Sequence, residues 1–399
     1  TLLTYGGLAG ELNLLGVQDK GTRSEYIVSS SEGNKVLLTV VGKAEDLSWD
    51  AGGSGSMTWG VLGAGDRWGG TSNPDNAFHN GDRVSIVNGG TLTVVGRVEP
   101  GRVIVSGNKN VCLTGTGSLV GGGKLVKTGF GVLEVGVRNE YTGGTVLEQG
   151  GLLLTVDSAL GVGPLQIADT LSGRKTVTLD RPGGGTIRMQ GDIDNEASNA
   201  LILVADGTAA AVEGSLINRG TLETAGNLSI AGLVAHSSSQ TILQAGSNLT
   251  SGSETVLKDG ASLFLKKGNS QQKSTGYYGD VSVGHGGTLI LEASSGVEGD
   301  VRILSGGVVR VSGETTVAGN YSLEQGGNLT IAGNSVLKGN VSVCDGASMV
   351  LGQGSGVFGA LVLNDSSKLS VAGNTALTGD VVLTGRNSIS PTVPSWEPI

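Results

Sequence analysis

Trp49, Trp59 and Trp68 lie in one Gly- and Ser-rich stretch that runs on to Asp75, His79 and Asp82. Aromatic faces stack on sugar rings, and carboxylates accept hydrogen bonds from sugar hydroxyls. Aromatic and acidic residues in this order therefore fit a glycan site. Tryptophans also plug irregular corners of an apolar core, and that competing reading is kept beside the first. The spacing of Asp75, His79 and Asp82 matches no metal motif. A second polar interruption runs Lys266-Lys267-Gly268-Asn269-Ser270-Gln271-Gln272-Lys273 and leads to Tyr277 and Tyr278. Cations and aromatics on a loop suit contact with a partner. The candidate binding residues are thus Trp49, Trp59, Trp68, Asp75, Asp82, Lys266, Lys267, Lys273, Tyr277 and Tyr278.

Other chemistry is thinner. Asp280, Asp300 and Asp380 recur with Asn320 and Asn340 between them. If those positions stack at about 4.8 Å, paired carboxylates could hold Ca²⁺ or act as an acid/base pair. The plainer reading is a turn ladder in water, where repulsion costs roughly 1 kcal/mol. His79, His236 and His285 are far apart in the chain. No Gly-x-Ser-x-Gly elbow, His-Glu-x-x-His or phosphate-binding loop occurs. No catalytic residue, metal or cofactor is expected.

The element that positions these residues is a repeat. Gly279, Gly299, Gly319, Gly339, Gly359 and Gly379 each open a unit, about 20 residues apart. Counting each glycine as the first step, the third and fifth steps are apolar (Val281 and Val283, Val301 and Ile303, Tyr321 and Leu323). So are the eleventh and thirteenth (Leu289 and Leu291, Val309 and Val311) and the nineteenth (Val297, Val317, Leu337). Spacing by two is strand alternation. A constant step in this range marks a solenoid. Strands equivalent in every unit are all satisfied if each unit forms one coil and stacks on the next. The fold class is therefore all-β, a parallel β-helix of about 20 residues per coil, right-handed by the crossover rule.

Counting back from Gly279 by twenty places units at Asp259 and Ser239. Thr241, Leu243, Leu249 and Leu257 then take inward steps, and a polar loop replaces one strand of the Asp259 unit. Asn227-Leu228-Ser229-Ile230-Ala231-Gly232 resembles Asn328-Leu329-Thr330-Ile331-Ala332-Gly333. Residues 1–46 read as the end of an earlier coil set and 47–82 as an irregular loop region. Residues 83–212 and 213–390 read as β-helix, and 391–399 as a Pro-rich tail or linker.

Composition agrees. Of 399 residues 72 are Gly, while Pro numbers only 7, against a disordered Pro/Gly tract. A net charge of −9 without a basic stripe argues against a nucleic-acid partner. No apolar run is long enough for a membrane helix. Cys112 and Cys344 would stand about 50 Å apart, too far to bridge. Thr1 to Gly10 holds neither a charged nor an apolar signal region. The start is read as a cut from a longer chain with any export signal upstream.

One stretch carries a family likeness. Leu125, Lys127, Gly129, Gly131 and Leu133 are followed by Asn139, Tyr141, Gly143, Gly144 and Thr145, and then by Gly151-Leu152. This resembles the autotransporter-associated β-strand repeat, in which Leu-x-Lys-x-Gly-x-Gly-x-Leu leads to Asn-x-Tyr-x-Gly-Gly-Thr and Gly-x-Leu. Val137-Arg138 is a departure that alters a turn. The block from Trp49 to Gly107 is similar, more loosely, to the Trp-containing preamble of such repeats. The resemblance implies a bacterial autotransporter passenger, adhesin-like, at the cell surface or secreted. Such passengers cross the outer membrane through a C-terminal barrel that is not part of this stretch. It implies a rigid stalk that presents loops to a host glycan or host surface protein. A carbohydrate-active β-helix enzyme is the alternative, and convergence of Asp50, Asp66, Asp75 and Asp82 in one groove would favour it. Self-association is a third reading.

Overall fold

The computed structural model describes residues 3–4, 23, 25–31, 35–41, 43–61, 67–70, 76–267 and 274–391. Strands are its only regular elements. From Asp46 onward they wind into a parallel β-solenoid of about 15 turns. A regular coil has three strands, such as Val281–Val283, Thr288–Leu291 and Ser295–Glu298. Each pairs in parallel with its equivalent one unit on: Val281 with Val301, Leu289 with Val309, Tyr277 with Val297. The three strands make three faces. Val281, Val283, Leu289, Leu291 and Val297 are all buried. One coil cannot bury them alone, so its neighbours supply the other walls of the core.

The corners explain the rest of the repeat. A Cβ on Gly319 would sit 2.0 Å from the carbonyl oxygen of Gly299, and φ there is +119°. Only glycine lets consecutive coils approach this closely. Beside it, Asp280 Oδ1 accepts from the Asp300 amide at 2.8 Å, and Asp300 Oδ1 from the Asn320 amide at 2.8 Å. Asn340 Oδ1 accepts in turn from the Ala360 amide at 2.9 Å. The Asp/Asn column is thus a ladder that satisfies corner amides. A second column, Ser295, Thr315, Ser335, Ser355 and Thr375, donates each hydroxyl to the carbonyl three residues back, at 2.5–2.7 Å.

Below Gly279 the steps are unequal. Thr255 pairs with Val281, a step of 26 residues. The excess is an insertion between Ser262–Leu265 and Thr275–Tyr278. All three strands survive, which corrects the expectation that a loop replaces one of them. Thr241 and Leu243 pair with Leu263 and Leu265 on the second face. Leu249 pairs with Tyr277 on the third, and Leu257 with Val283 on the first. All four are buried as expected, but each lies on a different face from the one that counting by twenty assigns. Asn227–Ala235 begins on the third face, whereas its look-alike Asn328–Ile331 lies on the second. Alternation tells inward from outward; it does not name the face.

The described residues before the first coil also depart from expectation. Leu3–Thr4, Glu25–Ser31 and Lys35–Val41 form a separate antiparallel sheet rather than a coil. Asp46–Trp59, expected as irregular loop, is a strand of 14 residues that forms the first coil and pairs in parallel with Arg83–Val94. In residues 159–211 the coil continues with longer steps, such as Leu165 to Ile193. Arg181 there closes the Gly-rich turn by donating to the Thr186 carbonyl at 2.7 Å. Cys112 and Cys344 are both free. Asp66, Asp75, Lys273 and the tail 392–399 lie outside the described residues.

The motif that carries the family likeness is one more coil corner. Lys127 is buried and donates to the carbonyls of Thr128, Gly129 and Gln149 at 2.8, 2.6 and 3.3 Å. Asn139 accepts from the Leu119 amide at 2.9 Å and donates to the Ala159 carbonyl at 2.6 Å, linking three coils. Buried Tyr141 shares a 2.6 Å hydrogen bond with Thr145.

Candidate functional site

The described residues of the two interruptions differ in burial. The first closes the N-terminal end of the stack. Trp59, Trp68 and Phe78 are each 0% exposed and Trp49 only 7%. Trp59 meets Trp68 edge-on at 5.4 Å between centroids, and Phe78 at 5.5 Å. The chain beyond the first coil crosses its edge at Gly69, which exchanges amide hydrogen bonds of 2.7 and 2.8 Å with Ser48. Among the described residues no coil precedes the first one, and these rings cover its apolar side. They have no free face for a sugar, and Trp49, Trp59 and Trp68 are corrected from binding platform to end plug.

Asp82 is corrected with them. It is 0% exposed and accepts from Arg23 Nε at 2.9 Å, from the Glu45 amide at 2.9 Å and from the His79 amide at 3.0 Å. It ties the chain before the first coil to the corner of the second. Asp50 is exposed, and its oxygens accept from the Gly52 amide at 2.8 Å and from Asn88 Nδ2 at 3.0 Å. These two contacts, the amide first, hold its carboxyl below the usual value. Asp50 and Asp82 therefore serve different partners.

The second interruption starts and ends in exposed residues, Lys267 and Ser274. Lys266 lies 3.9 Å from Glu292, and the Lys267 amide donates to the same carboxylate at 2.9 Å, so Glu292 on the next coil anchors the start of the insertion. After it, Thr275–Tyr278 resumes alternation. Tyr277 points inward, is 0% exposed and donates to Thr255 Oγ1 at 2.6 Å. Burial pushes its hydroxyl up to about 12. Tyr277 is thus corrected from contact residue to core. Tyr278 points outward and is 38% exposed.

Tyr278 stands in a surface cavity of about 330 Å³, with Ser274, Ser294, Glu298, Glu314 and Thr316 among its lining. The floor is made of small outward residues, Gly276 and Gly296, paired side by side. A Cβ on Gly276 would lie 2.8 Å from the Tyr278 ring, so the ring passes close over that glycine. Phe358, 45% exposed, does the same over Gly356, where the distance is 3.1 Å. Tyr278, Glu298, Ala318, Lys338 and Phe358 are consecutive partners in one outward column.

Glu314 is unusual. It has φ +51° at a corner step occupied in other coils by Ser294, Asn334, Gly354 and Asn374, all with positive φ. Asn and Gly are suited to that conformation; a glutamate there is strained. Glu298, Glu314 and Phe358 were not among the sequence candidates. Their signals were present as a glutamate in a Ser/Asn/Gly column and as an aromatic two residues after a glycine at the outward steps of the third face.

The remaining titratable groups do not assemble. His236 faces Asp259 at 3.7 Å, and burial first, then Lys258, lowers its pKa. Among the described residues no three His, Cys, Asp or Glu side chains form a group able to hold a metal.

No protein-family model matches the chain, and no curated protein matches it. A solved structure, that of the TibC-catalysed hyper-glycosylated TibA fragment, is similar to 86% of this chain and 98% of its own. The identity is 13% and the TM-score 0.34.

Proposed function

We propose that this chain is a segment of a bacterial autotransporter-type passenger: a rigid β-solenoid stalk, exported to the cell surface or released, that carries a side-facing binding site for a host glycan or host surface protein. We read it as a scaffold without catalytic activity. The supporting observation is the contrast between core and insertion. The inward steps are filled with apolar residues through about 15 turns, while the insertion after Leu265 leads into a half-open cavity with an outward tyrosine and two carboxylates. The autotransporter-associated motif at Leu125 to Leu152 supports the export reading. Asp82, bound to Arg23 inside the end plug, is unavailable as an acid or base.

The test replaces residues 266–274 with the short corner of the next coil, Glu292-Ala293-Ser294, which keeps the strand register. Attachment to host cells and to a glycan array is compared with the parent chain. Loss of attachment with an unchanged melting profile supports the site. Unchanged attachment removes the insertion from the reading.

A further inference from the structure

We infer that the third face binds an extended, uncharged polysaccharide lying parallel to the solenoid axis, with Tyr278 and Phe358 as two stacking platforms. This deepens the scaffold reading above and rests on it. The two rings share one outward column, separated by Glu298, Ala318 and Lys338. At about 4.8 Å per coil they stand roughly 19 Å apart. Both rings stand beside glycines and are exposed, so each has surface to offer a ligand.

The coil repeat is close to the length of one sugar in an extended, equatorially linked pyranose chain. Successive sugars can therefore meet successive coils in equivalent positions, which a coiled glycan cannot do. Small steps at Gly276 and Gly296 leave room for the chain between the Tyr278 ring and the Glu314 corner. Glu298 and Glu314 can accept hydrogen bonds from paired hydroxyls. The same carboxylates repel acidic sugars, and Lys338 in the column repels amino sugars, which leaves neutral hexoses as the class that fits. Glu314 holds a strained corner conformation at the cavity, a cost that has no return in the coil itself, since Asn334 and Asn374 make the same corner.

The experiment measures binding of β-1,4-linked glucose oligomers of increasing length to the full chain by calorimetry, with helical α-1,4-linked oligomers as control. Affinity should rise with length until the oligomer spans both rings, at about five units by the coil spacing. Tyr278→Ala should weaken binding about 3- to 10-fold at every length. Phe358→Ala should leave short oligomers unchanged and abolish the gain beyond four or five units, about four coils. Glu314→Asn should weaken binding while holding or raising the melting temperature, because it relieves the corner; this separates loss of contact from loss of fold.

Absence of length dependence, equal binding of the helical oligomers, a preference for polygalacturonate or chitosan oligomers, or unchanged affinity in Tyr278→Ala would each overturn the inference. If the insertion replacement abolishes cell attachment while these variants bind as the parent does, the axial polysaccharide site fails and the scaffold reading stands. If neither has an effect, both fail.

Discussion

Residues 49–82 and 266–278 both break the coil step and both bring aromatic rings, yet Trp59, Trp68 and Phe78 are core while Tyr278 is at the surface. The difference lies in what each already has around it. Among the described residues no coil lies before the first, and Trp59, Trp68 and Phe78 turn inward there and are 0% exposed. The coil at Thr275 is covered from both sides by Asn248–Ser251 and Ser295–Glu298. Its interior is complete, and Tyr278 on its outward step reaches the surface. Position along the stack, more than composition, decides whether an interruption serves stability or contact.

Substitutions at the two regions should therefore separate sharply. Trp59→Ala should cost about 3–5 kcal/mol of stability, measured by urea unfolding, with oligosaccharide binding of the folded fraction unchanged. Tyr278→Ala should change stability by less than about 0.5 kcal/mol. A Trp59→Ala chain as stable as the parent would dismiss the plug. Next in size is Asp82→Ala, which leaves the Arg23 guanidinium without its buried partner and should cost about 3 kcal/mol. Loosening should appear first as faster amide exchange at Asp46–Trp59, because Asp82 holds the Glu45 amide at its start.

Inside the stack the two buried tyrosines give opposite signs. Tyr277 has Thr255 as partner, so Tyr277→Phe should destabilise by about 1 kcal/mol. The Tyr321 hydroxyl is buried and lacks a hydrogen-bond partner among the described residues. Tyr321→Phe should then stabilise by about 1 kcal/mol; equal shifts of one sign in thermal melting would refute the distinction.

The smallest effect is on pH dependence. Burial lowers Lys127 from its ordinary 10.5 to about 8. Below pH 8 both folded and unfolded chains are protonated there and the folded state carries the full cost of a buried ammonium. Above pH 10.5 both are neutral and that cost is gone. Lys127 alone thus makes stability rise from pH 8 to 10.5. Denaturant midpoints across that window should show this slope in the parent chain and lose it in Lys127→Met.

Much of the scaffold was readable from residue order because a solenoid core is a one-dimensional code. Alternation at Val281, Val283, Leu289 and Leu291 marks inward steps, and the constant return of Gly279, Gly299 and Gly319 implies stacking. The reading failed where that code is silent. Thr241 and Leu257 were assigned inward correctly but to the wrong faces, since the insertion shifted the count by six residues at Leu257 and a longer coil step brought the shift to eight at Thr241. Of the binding candidates, Tyr278 reached the cavity, while Tyr277 next to it went to the core by the same alternation that had located both strands.

The sequence by itself determined that this chain stacks in coils and which side chains face the axis, because every unit must bury the same steps against the next. Only the tertiary structure decided which aromatics are covered. The Trp59 and Tyr278 rings are alike in kind, and what sets them apart is that Trp59 is packed under Trp68 and Phe78 while Tyr278 falls on an outward step.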